Sequence, residues 1–226
     1  MAINNPTQTA GAEKSLPPAD TSASRAYEII KHKIITLEMA PGSPIHESAL
    51  ADELQLGRTP IREALRLLQA EQLVDTIPRR GMFVTNVSIT DLQQIAEVRI
   101  ELEGLSARLA ALRATPDEIA RLEEHIAEAE RMPEKDPRVV IHADRRLHIW
   151  IAQASHNDYL VTEVDRYYTL SLRLWHLALA RVQTADLNVA AHHQVIESIG
   201  ERAPERAEAL MQEHIRNFHR SIRAAM

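Results

Sequence analysis

HESALADELQLGRTPIREALRLLQAEQLV, residues 46–74, followed by DTIPRRGMFV, residues 75–84, decides how the first third of this chain is read. A short apolar-periodic segment with Leu50 and Leu54 breaks at Gly57. A second opens at Thr59-Pro60 and carries Ile61, Leu65, Leu68 and Leu73. Apolar residues three and four apart share one face of a helix, so the stretch predicts a helix, a tight turn and a second helix. On that second helix Arg58, Arg62 and Arg66 fall four apart, opposite the face made by Ile61, Ala64, Leu65 and Leu68. Behind it, the runs LVDTI and MFVTNV flank Pro78-Arg79-Arg80-Gly81, turn residues suited to closing a β-hairpin with two more arginines at its tip. The pattern is that of a winged helix-turn-helix.

Such a helix fits the major groove of B-DNA, where arginine meets O6 and N7 of guanine, each good contact worth roughly 1–3 kcal/mol of discrimination. Arg58 and Arg62 lie at the helix N-terminus, where free backbone N–H groups and Thr59 suit a phosphate. The plainer reading is a solvated arginine face paired with Glu63 and Glu71. The hairpin tips the balance towards DNA.

The chain has 226 residues, comfortable for two small domains, and its 45% hydrophobic content is enough to bury real cores. Six glycines and 4% aromatics favour helices, and the absence of cysteine excludes a disulfide framework or a thiolate metal site. No 18-residue apolar run and no signal-peptide pattern occurs, so a soluble, cytoplasmic protein is expected. The net charge of −6 sits in the C-terminal part. Residues 24–86 hold 8 basic and 8 acidic side chains, residues 87–226 hold 17 and 22. Attraction to phosphates therefore depends on where Arg58, Arg62, Arg66, Arg79 and Arg80 are placed. One copy should bind DNA modestly, and a homodimer is expected.

Residues 1–22 lack apolar periodicity and read as a disordered tail. Ala26 to Leu37 predicts a first helix, ended by Pro41-Gly42, and the winged domain extends over 23–87. Ser88-Ile89-Thr90-Asp91 is a linker and helix N-cap. From residue 90 the chain reads as an all-α bundle of six helices. The first, 91–113, shows Ile95, Val98, Leu102, Leu105, Leu109 and Leu112 at heptad-like spacing. Thr115-Pro116-Asp117-Glu118 is a capping box that opens a helix through Met132. The other four run over 138–154, from Asn157 to about 182, over 186–199 and from Pro204 to about 224. Asn157 reads as a helix cap.

Nine of the 11 histidines lie beyond residue 120, some where apolar residues belong. Asp144 and His148 share a stripe with Ile141 and Ile151, His192 lies in line with Val195 and Ile199, and His214 between Ala207, Met211 and Phe218. Burying unsatisfied polar groups costs several kcal/mol, so these four call for a common partner. A divalent metal would serve all of them; the alternative is four separate core residues, each bonded to its own neighbour. His142, His156, His176, His193 and His219 read as surface or packing residues, with His193 the challenger to its neighbour His192. No second inward carboxylate suited to a general base is evident.

LGRTPIREALRLLQAEQLV followed by IPRRGMFV resembles the DNA-binding domain of the GntR superfamily, with its Arg-Thr-Pro-Val-Arg-Glu-Ala-Leu, Leu-x-x-Gly-Leu-Val and Arg-Gly wing. The resemblance implies DNA contacts at Arg58, Thr59, Pro60, Arg62, Arg80 and Gly81. Two positions depart from the pattern: Gly57 stands where Ser or Thr is usual, and Gln72 where glycine is usual. VRIELE, ADRRLH, AHHQVIESI and ALMQEHI are similar to the FCD ligand-binding domain of the FadR-like branch. That resemblance implies metal ligation by Asp144, His148, His192 and His214, with zinc the first candidate and nickel and manganese the others. It also implies a small carboxylic acid effector, for which Arg99 is a candidate clamp and Arg173 a weaker one. Arg99 reads equally as an i,i+4 ion pair with Glu103.

The expectation is a homodimeric transcription regulator, not an enzyme, most often a repressor in this family, whose grip on operator DNA answers to an organic acid at the metal. The competing readings are a helical metalloenzyme acting on a small carboxylate and a regulator with a purely structural metal.

Overall fold

A computed structural model describes residues 21–131, 137–178 and 189–225. The chain divides into two compact units, one comprising the N-terminal residues to His32 with Gly42–Thr85, the other Lys33–Pro41 with Asn86 onwards.

The first unit has helix α1 (Ser22–Ile35) as far as His32, helices α2 (Glu47–Leu54) and α3 (Arg58–Ala70) and strands β1 (Pro44–Ile45), β2 (Val74–Ile77) and β3 (Gly81–Val84). α1 starts earlier than the expected Ala26–Leu37, with the Thr21 hydroxyl accepting from the Ser24 N–H at 3.1 Å, and stops earlier, Leu37 turning into the left-handed region at φ 63°. Gln55, at φ 54°, closes α2, and Gly57 in an extended conformation caps α3. Ile61, Leu65 and Leu68 are fully buried on α3, each worth on the order of 2 kcal/mol. Glu71 at its end meets Lys31 at 2.8 Å and accepts the Tyr27 hydroxyl, tying α1 to α3.

The expected hairpin is present as β2 and β3, antiparallel from Val74 opposite Val84 to Ile77 opposite Gly81. It is part of a three-stranded sheet ordered β1-β3-β2, the third strand pairing Pro44 with Phe83 and Ile45 with Met82. A two-residue strand has too little alternation to be seen in sequence.

The second unit is the six-helix bundle: α4 (Ile89–Arg113), α5 (Pro116–Arg131), α6 (Pro137–Ala154), α7 (Asp158–Ala178), α8 (Val189–Gly200) and α9 (Pro204–Ala225). Ser88 and Asp91 form a reciprocal capping box on α4, as do Thr115 and Glu118 on α5. The Asn157 side chain accepts from the Leu160 N–H at 3.4 Å, capping α7. α4 packs closely on α9 because Gly104 has no Cβ; one added there would lie 2.7 Å from Gln212 Cγ. Of the expected tail over residues 1–22, residues 1–20 lie outside the described residues and Ser22 already opens α1; the α5 end at Met132, the α7 end near 182 and the α8 start at 186 also lie outside them. Among the described residues no helix is long and apolar enough to cross a membrane.

The heptad-spaced apolar residues of α4 do not form its most buried side. The side it turns into the bundle carries Leu92, Ala96, Arg99, Glu103, Ser106, Ala107 and Ala110, all buried. The leucine stripe lies on the flank: Leu105 is 37% and Leu112 58% exposed. Small and charged residues fill the inner face because α4 is central to the bundle and meets its polar cluster.

Candidate metal centre and reading head

In the first unit, α3 presents Arg58, Thr59, Arg62 and Arg66 to solvent while its opposite side fills the core. Pro60 occupies the first turn and is half-buried. The ion partner of Arg62 is Glu47 of α2, whose Oε2 lies 2.6 Å from Nε. In the plainer reading the arginine face pairs with Glu63 and Glu71, but Glu71 is held by Lys31. At the wing tip the Arg80 N–H donates to the Ile77 carbonyl at 3.0 Å, Arg79 takes a left-handed φ of 64° and Gly81 a φ of 98°. This turn leaves Arg79, Arg80 and Gly81 exposed, and the Arg80 guanidinium lies 5.8 Å from the Phe83 ring centre. Gln72, at the position where the resembled family has glycine, holds φ 63°, a region where L side chains are strained.

In the second unit, Asp144 and His148 of α6, His192 of α8 and His214 of α9 converge, each offering a ligand atom within 4.8 Å of the others. The three histidines are buried and Asp144 nearly so. His192 Nε2 lies 3.1 Å from His214 Nε2 and 3.4 Å from His148 Nε2. The Asp144 oxygens lie 3.2 Å from His192 Nε2 and 3.6 Å from His148 Nε2. Metal–nitrogen bonds of 2.0–2.1 Å in tetrahedral geometry set ligand atoms about 3.3–3.4 Å apart, so these spacings fit one ion. Three ring nitrogens and a carboxylate meeting in a buried place form a donor set that one divalent ion would satisfy together. His193, by contrast, is exposed, so α8 offers His192 and not its neighbour. His125, which sequence reasoning left aside, is an ordinary core histidine, its Nε2 2.9 Å from the Ala143 carbonyl and its ring edge-on to Trp150.

Two neighbours of the cluster were missed by sequence reasoning. Glu103 is a second inward carboxylate, contrary to expectation: its Oε2 meets His148 Nδ1 and its Oε1 accepts from Arg99 Nε at 2.5 Å. It thereby turns His148 Nε2 to the cluster centre, the arrangement metal-bound imidazoles favour. Tyr168 of α7 donates its hydroxyl to Asp144, and the Arg99 guanidinium stacks 4.6 Å from the Tyr168 ring centre. Arg99 therefore makes the ion pair with Glu103 and also borders the site. Arg173 is buried further along α7; burial pulls it down to about 10, and the charge acting against this is Asp91 near the start of α4.

The electrostatics follow from burial and these pairs. Burial works to lower His148, but Glu103 and Asp144 raise it to about 9. Burial holds His192 down to about 4 and His214 well below its ordinary range, so both are neutral, as ligands must be. Burial opposes ionisation of Asp144 and Glu103, yet the surrounding imidazoles keep Asp144 far below the usual carboxylate range, and Arg99 and His148 bring Glu103 to about 2. A cavity of about 30 Å³ between α5 and α6 borders Asp144 and His192 and is also lined by His125, Ala129, Val140 and Leu147.

Comparison with known proteins agrees with both halves. Residues 22–84 match the model described as bacterial regulatory proteins, gntR family, and residues 94–217 match the FCD domain. The HTH-type transcriptional regulator YdhC of Bacillus subtilis is 28% identical over 194 residues, 85% of this chain and 77% of that protein. The Nta operon transcriptional regulator of Aminobacter aminovorans is 28% identical over 188 residues, 83% of this chain and 88% of that protein. Among solved structures, Escherichia coli McbR/YncC superposes with a TM-score of 0.79 at 21% identity, covering 90% of this chain and 98% of that one.

Proposed function

Because the chain belongs to the GntR family of bacterial regulatory proteins and carries an FCD domain, we propose that a small carboxylic acid controls its hold on DNA through a divalent metal in that domain. The chain is a DNA-binding transcription regulator and not an enzyme. In this proposal it works as a cytoplasmic homodimer and represses until the acid arrives.

The observation that carries the proposal is the convergence of Asp144, His148, His192 and His214 from three helices, backed by Glu103 and Arg99. These four residues would hold the ion, zinc first among candidates, which polarises and anchors an acid's carboxylate when bound. Arg99 adds a second, charge-assisted hold on the acid, with Arg173 the further candidate. The cavity beside Asp144 and His192 has room for one or two waters. An acid entering there must part α5 from α6, and such differential strain is what shifts an equilibrium between two packings.

On the DNA side, Arg58 and Arg62 read base edges from the start of α3, Thr59 and Pro60 set the helix end against the backbone, and Arg80 with Gly81 brings the wing to the adjacent groove. Two copies reading half-sites about one helical turn apart supply the affinity that one neutral domain lacks.

The test is operator binding by fluorescence anisotropy, on a site selected from random sequence, with metal-loaded protein and a panel of mono-, di- and hydroxycarboxylic acids. At least one acid should weaken DNA binding tenfold or more in the wild type and leave His148→Ala unaffected. Indifference of DNA affinity to every acid that binds would make the metal structural, and conversion of an acid into product would restore the enzyme reading.

A further inference from the structure

α4 has two faces of different character. The inner one sends Arg99 and Glu103 to the metal centre. The outer flank carries Ile95, Val98, Leu102, Leu105, Leu109 and Leu112, spaced 3, 4, 3, 4, 3. That alternation is the 3.5-residue repeat by which a helix lies along another helix. None of the six is fully buried: Leu105 and Leu112 are exposed, and the other four are half-buried. The seam runs roughly 26 Å along the helix at 1.5 Å per residue, and among the described residues it is covered only in part.

We propose that this seam pairs with the same seam of a second copy, the two α4 helices running antiparallel about a two-fold axis that passes between Glu103 and Gly104. One register satisfies every layer. It sets Leu102 against Leu105 of the second copy, Val98 against Leu109 and Ile95 against Leu112, each pair twice by symmetry. The same register sets the flanking Glu101 beside Arg108 of the second copy, again twice. Both side chains are exposed, and the contact of Arg108 within its own chain is a long one, 3.8 Å to Glu208. A parallel pair would instead turn Arg108 towards Arg113, like against like. Charge therefore selects the antiparallel arrangement, and a two-fold pairing closes on itself as a dimer.

The inference rests on the dimeric regulator proposed above and names its interface. It also gives the metal centre a mechanical outlet, since Arg99 and Glu103 lie on the helix whose other flank joins the two copies.

The chain has no cysteine, so introduced thiols report without background. Light scattering should give the mass of a dimer for the metal-loaded full chain. Val98→Cys mixed with Leu109→Cys, allowed to exchange and oxidised, should yield a disulfide between the two variants, while neither variant alone links to itself, because like positions lie about 16 Å apart along the axis. Glu101→Arg should weaken the dimer roughly tenfold, and adding Arg108→Glu should restore it. Leu105→Glu, with helix content and metal binding retained, should shift the protein to monomer. A dimer that binds operator but gives no 98–109 link, or links 109 to 109, overturns this interface and leaves the regulator reading intact. A monomer that binds operator with unchanged affinity at all concentrations overturns both.

Discussion

Replacing Glu103 by glutamine tests whether the metal centre is organised from behind. Glu103 is 2% exposed and paired with Arg99, itself 4% exposed, while its other oxygen orients His148. Glutamine keeps the shape but removes the charge, leaving the Arg99 cation buried and offering one acceptor where two were used. Removing one partner of a buried pair costs about 3–5 kcal/mol; the retained acceptor brings the expectation to about 3 kcal/mol. For a protein of this size that lowers the unfolding midpoint by about 10 °C. Loss of a carboxylate behind a metal-bound imidazole lowers metal affinity roughly 10- to 100-fold. Calorimetric melting of the metal-free protein, combined with competition against a chromophoric chelator, reads the two effects separately. A lowered midpoint with unchanged metal affinity would reduce Glu103 to a counter-ion for Arg99. No change in either would refute the placement of Glu103 in the site.

Arg62→Ala should weaken operator binding by about 1–3 kcal/mol and binding to random DNA much less, whereas Arg58→Ala should reduce both; equal losses on the two DNAs for Arg62→Ala, measured by anisotropy, would deny it a base contact. Gln72→Gly should raise the stability of the winged domain by about 0.5–1 kcal/mol, since Gln72 holds φ 63°; denaturant midpoints showing no gain would argue against strain there. The metal-free protein should be most stable near pH 6.5. His148, raised from 6.5 to about 9, contributes stability that is full below 6.5 and lost as pH rises through about 9. His192, lowered from 6.5 to about 4, contributes stability that is full above 6.5 and lost as pH falls towards 4. Melting profiles against pH should lose the alkaline decline in His148→Gln; a decline that persists would assign it to another group.

Much of the architecture was legible because periodicity reports which side of a helix is buried. Asp144 and His148 stood in line with Ile141 and Ile151, and His192 with Val195 and Ile199, so side chains that meet in the cluster could be picked out one stripe at a time. On α4 spacing alone left the buried side undecided: its leucines stand at heptad-like spacing, yet Ala96, Ala107 and Ala110 are buried while Leu105 and Leu112 are exposed. The i,i+4 pairing of Arg99 with Glu103 was legible, but the contact of Glu103 with His148, 45 residues away, was not. Tyr168 and the Arg62–Glu47 pair were hidden for the same reason: each partner is 15 or more residues away, and no local spacing encodes such contacts. Gln72 carried a readable signal, since a glycine usual at a position speaks of a left-handed backbone.

The central claim is that four side chains from three helices hold one divalent ion. Metal content per chain, measured by plasma mass spectrometry after loading and exhaustive gel filtration, addresses it directly for the wild type and for His192→Ala, Asp144→Ala and His214→Ala. One ion per wild-type chain and a small residue of it in each variant is the expected result. A wild type that emerges metal-free, or variants that keep a full equivalent, would contradict it.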